Sequence, residues 1–115
     1  MIGALFIFVA TLFVAQPAYA ATSAGLTGAL LHEFTRLELQ YDLPTSILAK
    51  VAMVESSGNA SAQVNISSAA GLFQFTKATW LQQSATLYGR ARSLNERFNP
   101  FTSAEVAAFG FARIR

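Results

Sequence analysis

The chain has 115 residues, enough for one domain, with 53% hydrophobic residues, 12% charged residues and a formal net charge of +2. It contains no cysteine, which excludes disulfide bonds, thiol catalysis and thiolate zinc sites. His32 is the only histidine, so a metal site that needs two histidines lacks a ligand.

The N-terminal run MIGALFIFVATLFVA contains no charged side chain and is followed by QPAYA. It is short for a bilayer-spanning helix, which needs about 20 residues. Ala18-Tyr19-Ala20 has the small residues of a signal-peptidase cleavage site. We therefore predict a helical signal peptide over residues 1–20 and a mature domain over residues 21–115. No Lys or Arg precedes the apolar run, which leaves an uncleaved N-terminal anchor as the alternative.

After a small, polar segment, apolar side chains at helical spacing predict an amphipathic helix over residues 29–41. These apolar residues are Leu30, Phe34, Leu37 and Tyr41. Polar side chains occupy the positions between them, where we expect the exposed face. They are Glu33, Arg36, Glu38 and Gln40, and His32 is expected on the same surface.

The segment Asp42-Leu-Pro44 is expected to end this helix and to start a second one. Asp42 can cap the second helix, and Pro44 is tolerated in a first turn. The second helix is predicted to run to about Ser56 and to stop at Gly58-Asn59.

The second helix places a glutamate on its apolar side. Ile47, Leu48, Val51 and Val54 form one stripe, and Glu55 follows Val51 by four residues and Leu48 by seven. At about 100° per residue, Glu55 lies on that stripe. Burial and the helix C-terminus both disfavour the charged form and raise the pKa, as an acid that donates a proton near neutral pH requires. The alternatives are a buried glutamate paired with an arginine and a side chain turned to solvent.

The remaining pattern is also helical. Residues 59–70 are small and polar and predict an irregular loop. The segment GLFQF, Gly71–Phe75, is expected to begin a third helix that stops at Gly89. After the linker RARSLNERFNP, a last helix is predicted from a capping box over Thr102–Glu105. The predicted fold class is all-α.

The stretch ILAKVAMVESSGNASA, followed by SSAAGLFQFTKATW, resembles the catalytic core of soluble lytic transglycosylases (SLT), goose-lysozyme-like enzymes of the bacterial cell wall. The family pattern is a helix ending in Glu-Ser, a loop of small residues, Gly-Leu-(Met/Phe)-Gln and then a Thr. Here these are Glu55-Ser56, Gly71-Leu-Phe-Gln74 and Thr79. A looser similarity extends through FNPFTSAEVAAFGFARI. The resemblance implies a lysozyme-like, goose-type helical lobe.

The resemblance also implies a reaction, the cleavage of the β-1,4 bond between N-acetylmuramic acid and N-acetylglucosamine in peptidoglycan. Glu55 is then the catalytic residue: it protonates the bridging oxygen and next accepts the proton of the muramic C6 hydroxyl, which closes a 1,6-anhydro ring. This scheme needs one carboxyl group rather than a flanking pair. It implies no metal and no cofactor.

The same resemblance assigns substrate-binding roles around Glu55. Gln74 is expected to bind sugar through its side-chain amide, and Phe73 and Phe75 to form an apolar wall, with core packing as the alternative. Ser56 is expected to hydrogen-bond near Glu55 or to cap the helix end, and Thr79 completes the motif.

Two positions in this region remain open. The serine that the family places before the Gly-Leu-(Met/Phe)-Gln motif is Asn65 here, so that Ser67 or Ser68 is expected to replace it. Trp80 is expected in the core, with sugar stacking as the alternative.

The family domain continues into a helix with an Ala-Tyr-Asn motif, whose Tyr lines the sugar cleft, and the sequence ends at Arg115 before such a motif. The resemblance therefore implies a partial domain over residues 21–115 that lacks one wall of the cleft. A hydrolytic muramidase on the same scaffold and a non-catalytic cell-wall-binding module are the alternatives.

The expected location is the periplasm or the exterior of a bacterial cell, and the expected partner is the peptidoglycan glycan strand. The basic residues late in the chain fit either a solvated face or a polyanion partner. They are Arg90, Arg92, Arg97, Arg113 and Arg115. The sequence contains no basic run with interleaved aromatic residues, so we do not expect a nucleic-acid partner. The sequence does not decide the biological role. The alternatives are wall turnover, a secretion or conjugation apparatus, a flagellum and a phage.

Overall fold

The computed structural model describes residues 25–64 and 66–114. The predicted signal peptide over residues 1–20 lies outside the described residues, as do Asn65 and Arg115. None of the helices in the described part combines the length and the hydropathy that a membrane-spanning segment needs.

The regular structure of the described residues is helical, which confirms the predicted all-α class. It consists of α1 (Gly28–Gln40), α2 (Ile47–Ser56), α3 (Lys77–Tyr88), a 3₁₀ helix (Leu94–Phe98) and α4 (Pro100–Arg113).

Helix α1 follows the predicted amphipathic pattern with one exception. Thr27 caps it, with the Thr27 Oγ1 atom accepting the N–H of Leu30 at 3.2 Å. The apolar residues Leu30, Phe34 and Leu37 are buried. Glu38, expected on the exposed face, is buried as well, which corrects that prediction. It lies four residues after Phe34 and therefore borders the apolar stripe.

The buried Glu38 caps the next helix. Helix α2 begins at Ile47 rather than in the turn that contains Pro44, and its N-cap residue Ser46 makes no side-chain cap bond. The Glu38 carboxylate instead accepts the N–H of Ser46 through Oε1 and the N–H of Leu48 through Oε2, both at 3.0 Å. The prediction that Asp42 caps α2 is wrong, because a glutamate from the preceding helix satisfies the free N–H groups at this helix end.

The segment predicted to start the third helix forms a turn. Ala70 and Phe75 pair as an antiparallel bridge and exchange two backbone hydrogen bonds, at 3.0 and 3.1 Å. We call this unit the Ala70–Phe75 hairpin. Gly71 (φ +87°) and Gln74 (φ +53°) have left-handed backbones, which a right-handed helix cannot contain. Helix α3 therefore begins after Thr76, whose Oγ1 accepts the N–H of Thr79 at 3.3 Å, and it ends as predicted at Gly89.

Helix α4 begins three residues earlier than predicted. Asn99 is its N-cap residue, and the Asn99 Oδ1 atom accepts the N–H groups of Phe101 and Thr102 at 2.9 and 3.3 Å. Pro100 follows at the first helical position, which its fixed φ favours. The predicted capping box at Thr102 is therefore wrong, and the Glu105 carboxylate accepts the hydroxyl of Tyr88 at 2.6 Å instead.

Helix α4 is the centre of the fold, since α1, α2, α3 and the 3₁₀ helix all pack on it. Small side chains on α4 let the surrounding helices approach closely. The buried residues of α4 are Ser103, Ala104, Val106, Ala107, Ala108 and Gly110. The larger core side chains come from the other elements, above all Phe34, Leu48, Phe73 and Trp80.

Candidate active site

The last turn of α2 carries the candidate acid. Leu48, Ala52, Glu55 and Ser56 form the buried face of this helix. Val54 was predicted to belong to the same stripe, but it is 50% exposed. The buried face is centred between Leu48 and Ala52, and Val54 lies on the far side of the helix at about 100° per residue.

The Glu55 carboxyl group is withdrawn from water without compensation. The residue is 2% exposed, and its buried Oε1 atom has no hydrogen-bond partner. Burial raises the pKa of Glu55 to about 8, and the C-terminal end of the α2 dipole acts in the same direction. The predicted burial is confirmed. Both alternatives fail, because Glu55 is not turned to solvent and the arginine ion pairs in the described part of the chain join other glutamates.

Ser56 links the end of α2 to the hairpin. Its hydroxyl oxygen lies 3.0 Å from the carbonyl oxygen of Ala52 and 2.8 Å from that of Leu72. A hydroxyl has one hydrogen, so the two carbonyls share it, and the shorter distance is to the hairpin. Ser56 therefore holds the Ala70–Phe75 hairpin beside the residue that carries the candidate acid.

The side chain of Gln74 stabilises the hairpin through hydrogen bonds to backbone carbonyls. Its side chain is fully buried, and Nε2 donates to the carbonyl oxygens of Ala62 and Gly71 at 3.2 and 2.8 Å. Both partners are acceptors, which fixes the orientation of the amide, and both of its N–H bonds are then used. The Oε1 atom has no partner. The sugar-binding role of Gln74 stays a prediction.

The other predicted site residues pack in the core or make short-range hydrogen bonds. The rings of Phe73 and Phe75 are buried against Phe34 and Trp80, with centroids 5.8 and 5.1 Å apart. Thr79 is buried in the first turn of α3. The half-buried Ser67 accepts the N–H of Ala69 at 3.1 Å through its hydroxyl oxygen.

Neighbouring residues have similar local roles. Ser68 accepts the N–H of Lys77 at 3.1 Å through its hydroxyl oxygen. The indole of Trp80 is fully buried and donates to the carbonyl oxygens of Arg92 and Ser93 at 3.2 and 2.9 Å. Trp80 is therefore a core residue, as its helical position predicts, and it offers no exposed face for sugar stacking.

Sequence reasoning missed Arg97, which lies against the hairpin. The basic residues late in the chain do not form one solvated face, because Arg97 is only 5% exposed and its burial lowers the pKa of the guanidinium. Nη1 donates to the carbonyl oxygens of Ser68 and Phe75, at 2.6 and 3.1 Å. These partners lie 29 and 22 residues away in sequence, so no local pattern reveals them.

The remaining glutamates have roles in the framework. Glu33 pairs with Arg36, and Glu96 pairs with Arg92 at 3.0 Å. Glu38 caps α2, and Glu105 binds the hydroxyl of Tyr88. Glu55 differs from these four in having an unpartnered, buried carboxyl oxygen.

Comparison with known protein families shows which family the chain belongs to. Residues 33–113 match the family described as the Transglycosylase SLT domain. The chain belongs to this family. The matched span contains α2, the hairpin, α3, the 3₁₀ helix and all of α4, so the predicted SLT relationship and the lysozyme-like helical fold are confirmed. SLT domains belong to a family that cleaves peptidoglycan by lytic transglycosylase-type chemistry. Comparisons with curated proteins and with solved structures give no match.

Proposed function

We propose that this SLT protein is an exported peptidoglycan lytic transglycosylase in which Glu55 is both the acid and the base. The observation that carries the proposal is the unpartnered, buried carboxyl group of Glu55, with its pKa raised to about 8. Such a group is protonated at neutral pH, and a catalytic acid must hold a proton before the bond breaks.

The chemistry needs no water molecule. Glu55 gives its proton to the oxygen that bridges the two sugars, and the bond from that oxygen to muramic C1 breaks. The C6 hydroxyl oxygen of the same muramic residue forms a bond to C1, and its proton passes to the Glu55 carboxylate. The products are a free 4-hydroxyl and a 1,6-anhydro end, and Glu55 returns to its protonated form.

The surroundings of Glu55 support the lyase over the hydrolase. An inverting hydrolase needs a second carboxylate to activate water, and a retaining hydrolase needs one as a nucleophile. Among the other glutamates, Glu33 and Glu96 are paired with arginines, Glu38 with backbone N–H groups and Glu105 with a tyrosine. A reaction that uses one carboxyl group fits this distribution of the glutamates.

Product analysis tests the proposal. We expect digestion of purified sacculi to release muropeptides with 1,6-anhydromuramic ends, and Glu55→Gln to release none. Reducing muramic ends would identify a hydrolytic muramidase on the same scaffold. Sacculus binding without release of either product would identify a non-catalytic wall-binding module.

Export to the cell envelope is the second part of the proposal. It rests on the uncharged N-terminal run and on Ala18-Tyr19-Ala20. We expect the protein recovered from the periplasm or the medium to begin at Ala21. A cell-associated protein that retains Met1 would instead favour the N-terminal anchor.

A further inference from the structure

Arg97 is a buried cation whose hydrogen bonds in the described residues all go to backbone carbonyls. Nε donates to the carbonyl oxygen of Leu94 at 2.9 Å, within the same 3₁₀ helix. Nη1 donates to the carbonyl oxygens of Ser68 and Phe75. Removing a guanidinium from water is costly unless its N–H groups find fixed partners, so these three carbonyls are held in place by the same contacts that satisfy Arg97.

The two long-range partners of Arg97 lie on either side of the Gly71–Gln74 turn. Phe75 closes the hairpin, and its carbonyl oxygen also accepts the N–H of Ala70 at 3.0 Å. Ser68 lies two residues before Ala70. One guanidinium nitrogen therefore joins both arms of the segment that contains the predicted sugar-contacting residues Phe73 and Gln74.

The Gly71–Gln74 turn makes a second contact with Arg97, through the backbone. Gly71 packs so closely on the backbone of Arg97 that an added Cβ would lie 2.0 Å from the Arg97 carbonyl oxygen. A further hydrogen bond, from the Ser56 hydroxyl to the carbonyl oxygen of Leu72, fixes the hairpin to the end of α2. The hairpin is thus held by contacts from two residues, Arg97 and Ser56, and Ser56 adjoins Glu55 in sequence.

We propose that Arg97 is a positioning residue that fixes the Ala70–Phe75 hairpin against the end of α2, which carries Glu55, and thereby sets the affinity for the glycan strand. Arg97 acts through the hairpin and touches no reacting atom. The inference rests on the proposed function, because it concerns how the same site holds its substrate.

Steady-state kinetics with soluble, un-cross-linked peptidoglycan strands test the inference, using the full chain and Arg97→Met. This change keeps an unbranched side chain and removes all donors. We expect KM to rise about tenfold and kcat to change less than about threefold, because a displaced hairpin weakens binding while Glu55 remains in place. The alkaline limb of the pH profile should stay near pH 8, where Glu55 loses its proton.

Arg92→Met is the matched control. Arg92 lies five positions earlier, pairs with Glu96 and lies over the ring of Tyr88 at 4.5 Å. It donates no side-chain hydrogen bond to the hairpin, so we expect its KM and kcat to equal those of the unsubstituted chain.

The outcomes separate positioning from simple loss of structure. Partial unfolding would lower the apparent kcat in proportion to the folded fraction and leave KM unchanged, which would overturn the inference. Arg97→Lys, which keeps the charge and one donor group, should fold and show a smaller rise in KM. Failure of Arg97→Lys to unfold cooperatively would assign Arg97 to the fold alone and would also overturn the inference.

An inactive unsubstituted chain would reject the proposed function and this inference together, whereas an active chain with unchanged KM in Arg97→Met would reject this inference only.

Discussion

The two ends of helix α2 each hold a buried glutamate, in opposite circumstances. At the N-terminus, the Glu38 carboxylate is 6% exposed and accepts two backbone N–H groups. At the C-terminus, Glu55 is 2% exposed and has an oxygen without a partner. The first arrangement gives both carboxyl oxygens a backbone donor and caps the helix, whereas the second disfavours the charged form of Glu55 and retains a proton. Burial alone therefore does not make a glutamate a catalytic acid, and the difference lies in the donors around it.

Removing the acid at the C-terminal end of α2 should have the largest effect of any single change on the cleavage rate. We expect Glu55→Gln to lower the rate of glycan cleavage by at least about 10²-fold, because glutamine cannot transfer the proton. Release of anhydromuropeptides from sacculi measures the rate. The amide has nearly the shape of a protonated carboxyl group, so the variant should unfold cooperatively like the parent. Retained cleavage in Glu55→Gln would remove this residue from the mechanism.

The pH dependence of stability tests the protonation state of Glu55 next. The folded pKa of Glu55 is about 8 and its ordinary value is 4.5, so between these pH values the folded protein holds a proton that the unfolded chain has released. The stabilisation is complete below pH 4.5 and is lost as the pH rises towards 8. We expect this group to lower the free energy of unfolding by up to about 1.4 kcal/mol per pH unit in that window.

Denaturant unfolding from pH 4.5 to 8 measures this slope, and the difference between the parent and Glu55→Gln isolates it from other titrating groups. The variant should have the flatter profile. Parallel profiles for the two proteins would mean that Glu55 is ionised in the folded state throughout this range.

Weakening the cap at the other end of α2 should affect stability but not chemistry. Glu38→Gln keeps one acceptor and leaves one N–H of α2 unpaired, which we expect to lower the free energy of unfolding by about 1–3 kcal/mol. Glu33→Gln, on the exposed side of α1, is the matched control and should change stability less. Urea unfolding at constant pH checks both variants, and the cleavage rate per folded molecule should not change. A large loss of rate in folded Glu38→Gln would contradict the division of roles between the two ends.

The smallest expected effect on stability concerns Glu105, whose carboxyl group accepts a hydrogen bond from the hydroxyl of Tyr88. Tyr88→Phe removes the hydroxyl that lies 2.6 Å from Glu105, in a half-buried position between α3 and α4. We expect the free energy of unfolding to fall by about 1 kcal/mol, with cleavage unchanged. Thermal unfolding measures the loss, and a change in KM would show that this contact reaches the site.

The sequence predicted those features whose signals are local. The spacing of Leu48, Val51 and Glu55 placed the acid on the buried face of α2, and Gly89 marked the end of α3. The start of α4 is also encoded locally, by Asn99 followed by Pro100, and this signal is stronger than the competing capping pattern at Thr102. These elements depend on residues within one or two helical turns of each other.

The remaining features depend on contacts between distant residues. Glu38 reaches Leu48 across the turn between α1 and α2, ten positions along the chain. The hairpin replaces a helical start because Gly71 and Gln74 adopt left-handed backbones, and Gln74 is held there by Ala62. Arg97 is buried by partners more than twenty residues away. Helical spacing contains no information about such partners.

The protonation state of Glu55 at neutral pH can be measured directly by a carbon-13 NMR titration of side-chain carboxyl groups, with Glu55→Gln used to assign the signal. We expect the Glu55 resonance to remain at the chemical shift of a protonated carboxyl at pH 7 and to titrate near pH 8. A resonance that titrates near 4.5, the ordinary value for glutamate, would contradict the account.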